Sequence, residues 1–138
     1  MDLLHFGFAV RDIETTSKAY RDLFGIAWDP IARYALPDPD GGADQVSLVT
    51  HGHTRDGIEI EMVQTVSGQT VDACWVGDRE GLSHIAFKVE DLAAERARLK
   101  ALGVDIVGEG SAPRADWFFV RDDRLGGALV QLVQLREP

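Results

Sequence analysis

Two stretches of this chain repeat one pattern at a fixed offset: LHFGFAVRDIETTSKAYRDLFGI from Leu4 and SHIAFKVEDLAAERARLKALGV from Ser83. His5 and His84 open the two copies 79 residues apart. The second halves repeat as well, GIEIEMVQ from Gly57 lying over GALVQLVQ from Gly127 at an offset of 70. A chain written this way folds as two copies of one supersecondary unit, and what one copy builds the other must build again. His5 overlays His84 near the start of an otherwise apolar strand, and Glu61 overlays Gln131 near the end of one. Four metal-capable side chains at equivalent places predict one shared site on a pseudo-two-fold axis.

The local pattern supplies the elements. In HFGFAV, Phe6, Phe8 and Val10 share one side and His5, Gly7 and Ala9 the other, the period-2 signature of a strand with two different faces. HIAFKV splits the same way, with Ile85, Phe87 and Val89 opposite His84, Ala86 and Lys88. Each strand runs into an Asp, Asp12 or Asp91, suited to accept from the free N–H groups at a helix start. Apolar stripes follow, Ile13, Ala19, Tyr20, Leu23 and Phe24 in the first helix and Leu92, Leu99 and Leu102 in the second. Gly25 and Gly103 end the helices where a left-handed turn is needed.

After the first helix come IAWDPIARYAL, the Pro/Gly/Asp loop PDPDGGAD, QVSLVT, the turn HGHTRDG and IEIEMVQ. After the second come VDIVGEG, WFFVRD, the turn DRLGG and ALVQLVQ. Each copy therefore reads β-α-β-β-β. The expected organisation is one domain over 1–138, with module one at about 1–66, a linker at about 67–81 carrying a helical turn around Val71 to Trp75, and module two at about 82–138.

Composition narrows the partners. The chain has 138 residues, 45% of them hydrophobic, which is enough for a real core. Its 14 Lys and Arg stand against 23 Asp and Glu, and the net charge of −9 repels phosphate backbones and anionic membranes. Neither nucleic acid nor a membrane is expected as a partner. The N-terminus MDLLHFGF lacks the basic flank and apolar run of a signal peptide, and a lone cysteine, Cys74, has no internal partner, so a cytoplasmic location is expected.

Parity on the final strands puts Glu59, Glu61 and Val63 on one side and Leu129, Gln131 and Val133 together in the second copy. If both copies curve the same face inward, His5, Glu61, His84 and Gln131 converge, with Gly7, Ala9 and Ala86 leaving room beside the histidines. Imidazole nitrogens with carboxylate and amide oxygens suit a borderline divalent ion that keeps positions open for a substrate. A lone strand histidine is more often a hydrogen-bonded structural group, but its recurrence in both copies favours ligation. His51 and His53 form an HxH pair read as part of a solvated hairpin turn. Glu59 is either a supporting group behind Glu61 or an exposed strand acid. Asp44, Arg114, Trp117 and Arg121 are possible substrate contacts whose ordinary readings are a loop acid, two surface arginines and a core aromatic. Cys74 has no local base and is read as inert.

The segments LHFGFAVRDIETTSKAYRDLFGI, IEMVQTVSG, GLSHIAFKVEDL and GGALVQLVQ resemble the vicinal oxygen chelate superfamily, which includes glyoxalase I, methylmalonyl-CoA epimerase, extradiol dioxygenases, fosfomycin resistance enzymes and bleomycin-binding proteins. The resemblance covers nearly the whole chain and is nearest to the methylmalonyl-CoA epimerase-like members. It implies an α+β fold of two βαβββ modules whose open, curved mixed sheet surrounds a central cleft. It also implies a divalent metal (Zn, Co, Ni, Mn or Fe) held at four positions that fall on His5, Glu61, His84 and Gln131. The epimerases typically read His, Gln or Glu, His, Glu; the fourth position here is Gln131, so a carboxylate and an amide are exchanged between modules.

The activity implied is that of a metal-dependent isomerase or lyase that stabilises an enolate next to a carbonyl. It is epimerase-like on an acyl-CoA thioester, or glyoxalase-like. Glu61, the one carboxylate among the four, is both ligand and catalytic base, with Glu59 and Asp44 as alternatives. The partners expected are a small-molecule substrate and a second copy in a homodimer. Other members of the superfamily leave open a non-catalytic, antibiotic-type binding protein and a biosynthetic or ring-cleaving oxygenase.

Overall fold

Alternating strands that end in a helix-capping Asp produce the same construction twice in the structure, a computed structural model that describes residues 1–38 and 40–137. Pro39, inside the predicted loop PDPDGGAD, and the terminal Pro138 lie outside the described residues. The elements are β1 (Asp2–Ala9), α1 (Ile13–Phe24), β2 (Ala27–Trp28), β3 (Ala32–Leu36), β4 (Gln45–His53), β5 (Glu59–Ser67), α2 (Val71–Val76), β6 (Gly81–Lys88), α3 (Leu92–Ala101), β7 (Asp105–Ala112), β8 (Ala115–Arg121) and β9 (Leu129–Leu135). They form two compact units, His5–Ser83 and Met1–Leu4 with His84–Pro138.

In the unit His5–Ser83 the strand order is β2-β4-β5-β1, with β3 also paired to β4. β1 runs parallel to β5 and the remaining pairs are antiparallel, so this sheet is mixed. The single run predicted over 26–36 is divided in two. Pro30 has no N–H to give a ladder and separates β2 from β3. The predicted HGHTRDG turn begins later than the sequence indicates: His51, Gly52 and His53 complete β4, and Thr54 starts the turn. The helical turn expected in the linker is α2, capped by Thr70, whose hydroxyl accepts from the Ala73 N–H at 3.1 Å.

In the other unit β6, β9, β8 and β7 follow one another, β6 parallel to β9 and the others antiparallel. Val89, Phe118, Val120 and Leu132 are its buried core, against which Leu92 and Leu99 of α3 pack. The Arg96 guanidinium lies 5.0 Å from the centre of the Phe118 ring and covers it, adding a cation–π contact to the stem's apolar packing.

The predicted helix caps are present. The Asp12 carboxylate accepts from the Thr15 N–H at 3.2 Å, and Asp91 accepts from Ala94 at 2.9 Å. Gly25 and Gly103 take φ of 71° and 76°, the left-handed region that L side chains avoid. The predicted stripes are only partly right. Ile13 and Ser17 are the buried positions of α1, whereas Leu23 and Phe24 are exposed at its last turn and Ala19 faces outward. Ala19 lies six residues from Ile13, about 120° round a helix of 3.6 residues per turn and so off the buried face. Leu102 is likewise exposed beyond α3.

A second pair of repeated residues explains how each helix is attached. The Gln64 side-chain oxygen accepts from the Ile13 N–H at 2.9 Å, and the Gln134 oxygen accepts from the Leu92 N–H at 2.9 Å. Beside them, the Val10 and Val89 N–H groups donate to the Val63 and Val133 carbonyls, each at 2.9 Å. The final glutamine of MVQ and LVQ thus ties the end of one strand to the first N–H of the helix that follows its parallel neighbour. That N–H has no partner within the helix, which makes the side-chain acceptor valuable.

Gln64→Ala and Gln134→Ala should each cost about 1 to 2 kcal/mol, the usual scale for losing a helix-start acceptor. Gln134→Glu, which keeps an acceptor at the positive helix end, should cost much less. Urea denaturation of the three variants measures this; an Ala variant as stable as wild type would remove the role.

Asp122 provides a pH test. It accepts from Arg124 Nε at 2.7 Å, Nη2 at 2.8 Å and the backbone N–H at 2.9 Å. These bonds, the guanidinium's first, hold its carboxyl down to about 2. A depressed folded pKa contributes stability that is present above the unfolded carboxyl value near 3.9 and is lost as pH falls through about 2. Carbon-detected titration should find the Asp122 midpoint there, and Arg124→Ala should return it toward the ordinary range.

Candidate functional site

Three strands of the unit His5–Ser83 bring two of the four predicted donors, His5 and Glu61, together. β1 contributes His5, and its parallel register with β5 pairs Gly7 with Glu61. β4 returns antiparallel on the other side, pairing His51 with Glu61 and His53 with Glu59. Directly paired residues point to the same side of a sheet, so His5, His51, His53, Glu59 and Glu61 share one face. Glycine at position 7 keeps the space beside Glu61 free of a side chain.

The Glu61 carboxylate lies between two imidazoles. Its Oε2 is 2.8 Å from His51 Nε2 and 3.5 Å from His5 Nε2. Glu59 stands on the other side of His5, with Oε2 3.6 Å from His5 Nδ1 and Oε1 3.6 Å from His53 Nε2. The His5 and His51 rings meet edge to face with centroids 5.8 Å apart. His5 is buried, and the Glu61 and Glu59 side chains are 13% and 23% exposed. His5 therefore has each ring nitrogen near a carboxylate, the pattern that fixes ring orientation and tautomer in metal-ligating histidines.

Charge follows from this packing. Burial alone pushes the His51 pKa down, but the hydrogen bond and negative charge of Glu61, with Glu59 and Asp29 behind it, raise it above the ordinary value. Burial pushes the Glu59 carboxyl up, and the surrounding His5, His51 and His53 outweigh it and hold it low. β4 is braced from behind: the Asp29 N–H donates to the His51 carbonyl at 2.8 Å, and the Thr50 hydroxyl donates to the Asp29 carbonyl at 2.7 Å.

The second unit repeats the register with different side chains. Ala86 pairs with Gln131 across β6 and β9 as Gly7 pairs with Glu61, and His84 pairs with Leu129. His84 is 1% exposed, its ring edge-on to Phe119 with centroids 5.4 Å apart. Phe119 of β8 pairs with Gln131. Gln131 is buried, and its Oε1 accepts no hydrogen bond among the described residues, an unusual condition for a buried amide oxygen. Each unit therefore presents a buried imidazole and an oxygen donor on one face. Imidazole with carboxylate in the first unit, and imidazole with an amide oxygen in the second, are each donor types that fit a divalent cation.

The weaker sequence candidates separate clearly. Glu59 is beside His5, as its parity predicts. Asp44 is exposed at the opposite end of β4 from His51, its carbonyl taken by the Ser67 hydroxyl at 3.2 Å. At roughly 3.3 Å per residue, seven residues of strand put it about 20 Å from the Glu61 rung. Arg114 and Arg121 are exposed, and Trp117 lies over Gly110, where a Cβ would meet its ring at 2.4 Å. Cys74 is exposed, its thiol directed to Gln69 Oε1 at 3.4 Å. His51 is the residue that sequence reasoning underrated. Its signal was available: a hairpin turning through TRDG with His53 opposite Glu59 necessarily places His51 opposite Glu61.

Comparison with known proteins places the chain. The family model for the Glyoxalase/Bleomycin resistance protein/Dioxygenase superfamily, whose members typically bind a divalent metal, matches residues 4–120. The ethylmalonyl-CoA/methylmalonyl-CoA epimerase of Cereibacter sphaeroides is 29% identical over 141 residues, spanning 96% of this chain and 97% of the relative. The solved methylmalonyl-CoA epimerase of Mycobacterium tuberculosis superposes with a TM-score of 0.75 at 23% identity, over 99% of this chain and 89% of the other. A variant of the Streptomyces coelicolor methylmalonyl-CoA epimerase, solved in complex with 2-nitronate-propionyl-CoA, gives 0.68 at 22% identity over 97% and 96%. The relatives are enzymes, and the fold is theirs. With a strand, a helix and further strands made twice in one α+β chain and a family match across most of its length, this protein belongs to the Glyoxalase/Bleomycin resistance protein/Dioxygenase superfamily.

Proposed function

We propose that this protein is a metal-dependent epimerase that moves the proton on the carbon next to an acyl-CoA thioester carbonyl. His5, Glu61, His84 and Gln131 are its ligand set and Glu61 its base. The observation that carries this is the Glu61 carboxylate, mostly buried between His5 and His51 in a chain that is 29% identical to an ethylmalonyl-CoA/methylmalonyl-CoA epimerase over 96% of its length. Zn, Co, Ni, Mn or Fe bound there supplies positive charge that lowers the cost of an enolate.

The chain's own residues do the rest. His5 and His84 donate as neutral imidazoles, with Glu59 behind His5 to orient its ring. Glu61 takes the proton from one face of the substrate carbon. Epimerisation is completed when a proton from solvent water reaches the opposite face of the carbon and Glu61 releases its own proton to solvent, so protons balance overall. Because the carboxylate lies in the first module, where the related arrangement has an amide, Glu61 works from the other side of the repeat. The same proposal treats the two modules as one domain over 1–138, the protein as a homodimer and its location as the cytoplasm; no helix among the described residues is long and apolar enough to cross a membrane.

His84→Ala should abolish stoichiometric metal, read by elemental analysis of protein prepared without chelator, while circular dichroism stays near wild type. Metal affinity should fall as pH drops through the histidine range near 6.5, since protons compete for the same lone pairs; an affinity unchanged down to about pH 5 would exclude histidine ligation.

Glu61→Gln should lower turnover of methylmalonyl-CoA by about 10²-fold or more, with metal binding only weakened. Deuterium uptake from D₂O into each enantiomer separates the faces. Wild-type exchange into both by Glu61→Gln would disqualify Glu61 as the base and bring Glu59 forward. Protein that retains no metal but binds a small apolar ligand would point to sequestration instead, and iron with oxygen consumption to an oxygenase.

A further inference from the structure

We propose that His51 is the positioning residue for Glu61, a donor that holds one carboxylate oxygen so that the other is presented in a fixed direction. This rests on the metal site proposed above and adds to it a fifth residue outside the four repeated positions.

Glu61 Oε2 lies 2.8 Å from His51 Nε2, within hydrogen-bonding range, whereas its 3.5 Å separation from His5 Nε2 is at the limit. An ionised carboxylate only accepts, so the proton is on His51 Nε2 and the bond runs from imidazole to Glu61. The two residues face each other across adjacent strands, and the backbone of His51 is itself held through Asp29 and Thr50. A glutamate has three side-chain torsions to restrain, and a braced cross-strand donor removes much of that freedom.

The repeat provides an internal comparison. In the second unit the residue paired with Gln131 as His51 is paired with Glu61 is Phe119. Phe119 cannot donate a hydrogen bond through its side chain, and Gln131 Oε1 has no partner among the described residues. The fold therefore places an imidazole donor opposite its charged acceptor and an apolar ring opposite its neutral one. A side chain placed there merely for strand pairing would have no reason to follow the charge in this way.

The test uses the full-length protein, cobalt(II) as probe, and three variants. His51→Phe copies the second unit, His51→Gln keeps a side-chain N–H, and Glu61→Ala removes the acceptor. His51→Phe should bind cobalt about 10- to 100-fold more weakly, the scale for losing an outer hydrogen-bond partner of a metal ligand. Its visible d–d spectrum should also change. His51→Gln should recover most of the affinity and the wild-type spectrum. Nitrogen-15 NMR of metal-free wild type should show the proton on His51 Nε2, with a resonance that moves in Glu61→Ala, which keeps a readout if His51→Phe fails to fold. If wild type binds cobalt and His51→Phe matches it in affinity and spectrum, the positioning role is overturned while the metal site stands. If wild type binds no cobalt, the metal site and this role fall together.

Discussion

Everything at the site depends on one backbone arrangement made twice, a parallel pairing of the first strand of each copy with the last. It sets Gly7 beside Glu61 and Ala86 beside Gln131. Because side chains alternate across a strand, that register decides at once which residues meet helix and core and which form the polar face. Moving the first pairing by one residue would exchange Glu61 for Ile60 or Met62, and moving the second would exchange Gln131 for Val130 or Leu132, turning the donor face apolar. The small residues at 7 and 86 are the counterpart of the donors they accompany, since a larger side chain there would occupy the space beside them.

The register is held at its edge by side chains rather than by backbone alone. Gln64 and Gln134 each cap the helix that follows the neighbouring parallel strand, with a backbone bond beside them from Val10 or Val89. A slip of the pairing would strand the first helical N–H and lose both bonds together. The repeated glutamine therefore couples sheet register to helix position in each unit. That coupling explains why MVQ and LVQ share a terminal residue that belongs to no donor set.

Symmetry of backbone is combined with asymmetry of charge. The first unit places His5, His51 and His53 around Glu59 and Glu61, so that imidazoles and carboxylates alternate over one face. The second gives His84 an aromatic neighbour and Gln131 an apolar one. Two modules of one fold thus offer a charged half and a neutral half. That difference arises from residue identities on an otherwise repeated frame.

The repeat, strand parity, capping aspartates and helix-ending glycines were all legible in the residues because each is a local pattern with a local physical cause. The sequence by itself determined the α+β modules and which four side chains occupy equivalent places. Pro30 could be read as a break, yet the unbroken apolar run around it hid the division into β2 and β3. The outer members of the helical stripes were misassigned because apolar character alone does not reveal which helix positions the fold covers, and Leu23, Phe24 and Leu102 are exposed. His51 looked like part of a turn until the hairpin register placed it opposite Glu61, and Asp44 looked close to the site until that same register placed it at the far end of the strand. Pairing between strands is a property of distant segments, decided by how turns close and where faces are buried, so only the tertiary structure could say which histidine supports which carboxylate.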